Sequence, residues 1–141
     1  MAILNYTTQI NENKSVGEIQ TLLARKGAQQ IAVDYENGNP SALNFQIVFN
    51  EQPVFFRLPC NIEGVYKSLC TTKGVPYAKQ TREQARRVAW RIIKDWVEAQ
   101  LAIVESRQAE MTEVFLPYAL DKQGNTFFHS FTESRKLLTA G

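Results

Sequence analysis

The apolar positions of residues 81–110 wind into a helix. The run holds no proline or glycine, and Thr81 followed by Gln84 has the spacing of a capping box. At about 100° per residue, Ala85, Val88, Ala89, Ile92, Trp96, Ala99 and Ile103 form one stripe. Trp90, Ile93, Val97, Leu101 and Val104 form a second beside it. The two together span roughly 220°, about twice what an ordinary surface helix needs. The polar side is narrow: Gln84, Arg87, Arg91, Lys94, Asp95, Glu98 and Glu105. Such a helix is expected to be covered on both flanks, by its own domain and by a second subunit.

The same pattern reading orders the rest of the chain. Ala2 to Ile10 predicts a short edge strand. Ser15 and Glu18 have capping-box spacing and predict a helix with Val16, Ile19, Leu22 and Leu23 on one face, ended by Gly27. Gln29 to Tyr35 predicts a strand, and Glu36 to Pro40 a turn. Leu43, Phe45, Ile47 and Phe49 then alternate with Asn44 and Gln46. Asn50 to Pro53 turns again, and Val54 to Leu58 is a third strand closed by Pro59. Asn61 caps a helix carrying Ile62, Val65, Tyr66 and Leu69, and a loop over Thr71 to Lys79 has Tyr77 near its tip. Beyond Glu110, Met111, Val114, Phe115 and Tyr118 predict a short helix stopped by Pro117. A turn at Gln123 to Asn125 and a short strand at Thr126 to His129 follow. The expected fold is α+β: a small antiparallel meander sheet covered by helices, with the one long helix forming an oligomer interface. Residues 1–131 make a single domain, and 132–141 a loosely held tail.

Composition narrows the function. The chain has 141 residues and a formal net charge of only +2, too little to announce a nucleic-acid binder. The basic charge is local: residues 82–94 hold Arg82, Arg86, Arg87, Arg91 and Lys94 against the single acid Glu83. Cys60 and Cys70 lack metal-ligand spacing and read as free thiols in a reducing compartment. The start has neither a basic leader nor a long apolar core, and no stretch approaches the roughly 20 apolar residues that span a bilayer. A cytoplasmic protein is expected, with no metal and no cofactor.

Arg86 falls inside the apolar arc, with Arg82 and Trp90 one turn to either side. A guanidinium there must find an anion, either a protein carboxylate or a ligand phosphate. Arg57 interrupts the apolar run of the third strand, and alternation turns it away from Phe56 and Leu58. Phosphates favour bidentate arginine, and a nucleotide base favours a rigid aromatic close by. The candidate ligand site is therefore Tyr77, Arg82, Arg86 and Trp90, completed by a neighbouring subunit. Arg57 and Arg107 near Phe115 and Tyr118 make a second, weaker cluster. No catalytic set is legible: the one histidine, His129, lies in a Phe-rich run, and no nucleophile or phosphate-loop motif is present. Cys60 precedes a helix N-terminus, which would lower its pKa, but no histidine partners it. Two binding functions remain. One is capture of a small phosphorylated ligand, which needs an enclosed pocket. The other is single-stranded nucleic acid binding, which needs a continuous basic track.

The stretch RVAWRIIKDWVEAQLAIVES followed by EVFLPY resembles the first-described type of Thoeris anti-defence sponge proteins of phages and prophages. The likeness runs from FRLPCN to VFLPY, with the opening MAILNYTT, and so covers most of the chain. It is an overall likeness without a spaced motif, and no ligand contact is carried over by position. The resemblance implies a non-enzymatic homo-oligomer, acting in the bacterial host cytoplasm, that captures cyclic ADP-ribose-type signals of TIR-domain proteins and in some members cyclic oligonucleotides. The alternative is a phage single-stranded DNA-binding protein.

Overall fold

Side-chain caps and positive-φ turns set the element boundaries in the computed structural model, which describes residues 2–134. Helix α1 spans Glu12–Arg25; its cap is Asn11, whose side-chain oxygen accepts from the Asn13 amide at 2.8 Å. The expected Ser15 box is thus corrected: Ser15 lies inside the helix, buried, and Glu18 answers an arginine instead. Gly27 closes α1 at φ 104°, the left-handed conformation glycine tolerates. Strands β1 (Gln30–Glu36), β2 (Asn39–Phe49) and β3 (Gln52–Pro59) form an antiparallel meander in that order. Asn37 and Gly38 (φ 52° and 79°) make the first two-residue turn, Asn50 and Glu51 (φ 50° and 66°) the second. Positive φ at both turn positions matches the twist of the flanking strands. Register slips by one residue opposite Asp34 and Tyr35, so β2 bulges at Ser41.

Helix α2 (Ile62–Thr71) is capped by Asn61, which accepts from the Gly64 amide at 2.9 Å. Helix α3 runs over Arg82–Glu105 from the Thr81 cap, which accepts from the Gln84 amide at 3.0 Å. Gln84 does not reach back to complete the box. Its side chain donates to the carbonyls of Tyr6 and Thr8 at 2.8 and 2.9 Å and ties the N-terminal segment down. That segment is not the expected edge strand: it turns at Asn5, φ 66°. Helix α3 also stops short of Glu110. Gln108 and Arg107 donate to the carbonyls of Ile103 and Val104, both at 3.0 Å, with Arg107 at φ 64°. This is a Schellman closure built on arginine where glycine is usual, so the sequence carries no stop signal there.

After α3, helix α4 (Met111–Val114) ends ahead of Pro117, which lies within a 3₁₀ turn at Leu116–Tyr118. The strand expected at Thr126 to His129 is instead the start of helix α5 (Phe127–Ser134). The Thr126 hydroxyl accepts from the His129 amide at 3.1 Å, which caps a helix. Of the tail expected over 132–141, Thr132 to Ser134 end α5, and the rest lies outside the described residues.

Helices α1 and α3 cover one face of the sheet. The core joins Val16, Ile19 and Leu23 to Leu43, Phe45, Phe56, Leu58, Trp90, Val97, Leu101 and Phe115. Phe45 stacks on Phe56 at 5.0 Å, and Phe115 meets Phe45 edge-on at 5.4 Å. A second cluster of Leu69, Val75 and Ala85 seats α2 and the N-terminal segment against the start of α3. Much of the wide apolar arc is therefore used within the chain, while Ile92, Ile93, Trp96, Ile103 and Val104 remain half-covered.

Ion pairs fasten α1 to α3. Arg91 donates to both Glu18 oxygens at 2.9 and 3.3 Å and holds that carboxyl below its ordinary 4.5. Across the outer sheet face, the Arg57 hydrogen bond holds Asp34 below its ordinary 3.8. A carboxylate depressed by folding adds stability that is complete above its ordinary value and lost as pH falls through the folded value. Melting temperature should hold level from neutrality down to 4.5 and fall through the region below 3.8. Scanning fluorimetry across a pH series checks this; a flat profile through that region would contradict it.

Candidate functional site

Three local features meet at one cleft of about 360 Å³. The β1–β2 turn and its bulge supply Glu36, Asn37, Asn39, Pro40 and Ser41. The N-terminus of α2 supplies Cys60, Asn61, Ile62 and Glu63, and the first turns of α3 supply Arg82 and Arg86. Bulges re-aim the chain beside sites. Beside the bulge, the Pro40 carbonyl accepts from the Trp90 indole at 3.1 Å, which pins the turn to α3.

The two arginines are held differently. Arg82 grips Glu63 with two hydrogen bonds, 2.7 and 3.3 Å, and lies 4.3 Å over the Tyr66 ring. Those bonds hold Glu63 below its ordinary value and raise Arg82. Arg86 gives only its Nε to a protein group, Glu12 at 3.2 Å. Glu12 sits on the first turn of α1 with its side chain 9% exposed, while the Arg86 side chain is 25% exposed. Among the described residues the two terminal nitrogens of Arg86 have no partner, and neither is sealed off from solvent. A buried carboxylate behind the guanidinium and a free fork in front is the arrangement that presents an arginine to an anion.

The expected cluster is thus half assembled. Arg82 and Arg86 share the cleft. Tyr77 is 88% exposed and does not line it, and the aromatic beside Arg82 is Tyr66. Trp90, 0% exposed, lies in the core and has no face for a base to stack on. The second cluster also divides. Phe115 is core, and Tyr118 meets Trp96 edge-on at 5.6 Å beside an apolar groove shared with Ile92, Ile93, Leu58 and Pro59. Arg57 projects from the other sheet face to Asp34 and Asn44, and Arg107 forms the exposed end of α3. Sequence reading missed Glu12, Glu36, Asn39, Asn61 and Glu63. Each sits in a cap, a first turn or a hairpin, and such punctuation is silent about what the loop faces.

The local basic excess does not make a track. Arg82 pairs with Glu63, Arg86 with Glu12, Arg87 with Glu83, Arg91 with Glu18 and Lys94 with Glu98. Every cation of that run meets a carboxylate.

Cys60 lines the cleft, but burial pushes its thiol up to about 12, the reverse of the helix-terminus expectation. Cys70 is exposed. A brief iodoacetamide pulse on native protein should modify Cys70 and spare Cys60 until denaturant is added, read by peptide mass; equal labelling would contradict the burial. Among the described residues no three metal-ligating side chains converge, and no helix is long and apolar enough to cross a membrane. Compared with protein-family models, curated proteins and solved structures, the chain matches none.

Proposed function

We propose that this chain is a non-enzymatic binding protein that sequesters a small phosphorylated nucleotide in the Arg86 cleft. The ligand class is the cyclic ADP-ribose type, extending to cyclic oligonucleotides, and capture counters nucleotide-signalled anti-phage immunity in the host cytoplasm. The observation that supports it is Arg86: it lines a cleft that also holds Asn37, Asn39 and Asn61, it is held through Nε by Glu12, and its terminal nitrogens have no partner among the described residues. Pairing of every cation in residues 82–94 favours this reading over single-stranded DNA binding, which needs unneutralised charge along a strand.

The protein works as a homo-oligomer in this reading, with the half-covered edge of α3 as the contact. Ile92 is the residue to test, because Val97 is buried and Ile93 packs against the core. Native mass spectrometry of protein purified from cells making TIR-derived signals should show an oligomer carrying nucleotide, released intact on heating. Ile92→Glu should yield a folded species of lower mass. A wild-type monomer that carries no nucleotide, and takes up neither AMP nor cyclic ADP-ribose, would overturn the proposal. Recovery of a hydrolysed product beyond one equivalent per chain would replace binding with catalysis.

A further inference from the structure

Two carboxylates, Glu36 and Glu63, line the cleft, and a third, Glu12, pairs with Arg86 from α1, while Glu63 is taken by Arg82. Glu36 ends β1 and lines the cleft, exposed and in no ion pair among the described residues. The two-residue turn of Asn37 and Gly38 fixes its backbone opposite Asn39. The cleft and its backing thus hold two guanidiniums against three carboxylates. That balance sets where the charges of a bound ligand can lie. It accepts one phosphate at the Arg86 fork while leaving a negative charge facing the remainder of the ligand. Asn37, Asn39, Asn61 and Ser41 supply neutral hydrogen-bonding groups between the two poles. A volume of about 360 Å³ is at the small end of ligand pockets and suits a compact ligand.

We infer, resting on the nucleotide-sequestering reading above, that Glu36 receives a positive charge on the ligand's base or ring. The cleft then selects zwitterionic nucleotides: phosphate at Arg86, cationic heterocycle at Glu36. Uncharged bases fit the same space but gain nothing from the carboxylate, and triphosphates are penalised by it.

The probes are nicotinamide mononucleotide and its reduced form, which share ribose and phosphate and differ in ring charge. Calorimetric titration of wild-type protein should show the oxidised form binding about three- to five-fold more tightly, the scale of an exposed ion pair. Glu36→Gln keeps the side chain's shape and should bring the two forms level by weakening the oxidised one alone. Arg86→Ala should weaken both together. Equal binding of the two forms by wild type, or a preference that survives Glu36→Gln, overturns the assignment of Glu36 and leaves the nucleotide reading standing. If neither form binds, the inference falls; AMP and cyclic ADP-ribose titrated alongside then show whether the nucleotide reading falls with it.

Discussion

Replacing Trp90 with alanine should cost the fold about 3–5 kcal/mol and lower its melting temperature by roughly 10–20 °C. The indole is fully buried among Leu43, Phe45 and Val97, and its removal leaves a cavity and strips the donor from the Pro40 carbonyl. A domain of this size has on the order of 5–15 kcal/mol to lose, so part of the population should unfold at physiological temperature. Trp90→Phe separates packing from hydrogen bonding: it fills most of the space and should cost about 1–3 kcal/mol for the unsatisfied carbonyl. Under the proposed nucleotide binding, affinity of the phenylalanine variant should stay within a few-fold of wild type, since the buried ring offers no face to a ligand. A large loss of affinity without loss of stability would return Trp90 to the ligand site.

Arg86→Ala should act on two observables at once. Charge-assisted hydrogen bonds to a phosphate are worth roughly 1.5–3 kcal/mol, so affinity for the proposed nucleotide should fall by about one to two decades. The apo protein should also melt lower, because Glu12 is left nearly buried without its cation. Adding Glu12→Gln to Arg86→Ala removes the stranded charge and should restore much of the melting temperature but none of the affinity. Unchanged affinity with a lowered melting point would make Arg86 a strut of the α1–α3 interface and nothing more. Calorimetry paired with melting of the apo variants distinguishes the outcomes.

The parts of the fold legible in the sequence are those whose signals act within a few residues. The alternation of Leu43, Phe45 and Ile47, the Asn37–Gly38 turn, and the caps at Asn61 and Thr81 all state their conformations locally. The N-terminal segment departs from its own pattern because what holds it is Gln84, far along the chain. The end of α3 carries no local signal because Arg107 takes a left-handed conformation that its residue type does not announce. For the site, winding placed Arg82 and Arg86 on one side of α3 correctly. It could not decide which of two apolar stripes faces the sheet, and so it offered Trp90 to a ligand when the core had taken it. The carboxylate that answers Arg86 lies on α1, and sequence distance gives no hint of that pairing.

The fastening of α1 to α3 also decides when the protein can finish folding. Glu12 and Arg86 are 74 residues apart, and Glu18 and Arg91 are 73 apart. At about 5–20 residues per second on the ribosome, α1 emerges roughly 4–15 s before its partner exists. Through that interval Val16, Ile19 and Leu23 have only the growing meander to lean on. Chains interrupted before α3 would present an uncovered apolar sheet face and become substrates for chaperones and proteases. The first helix made is among the last to be secured.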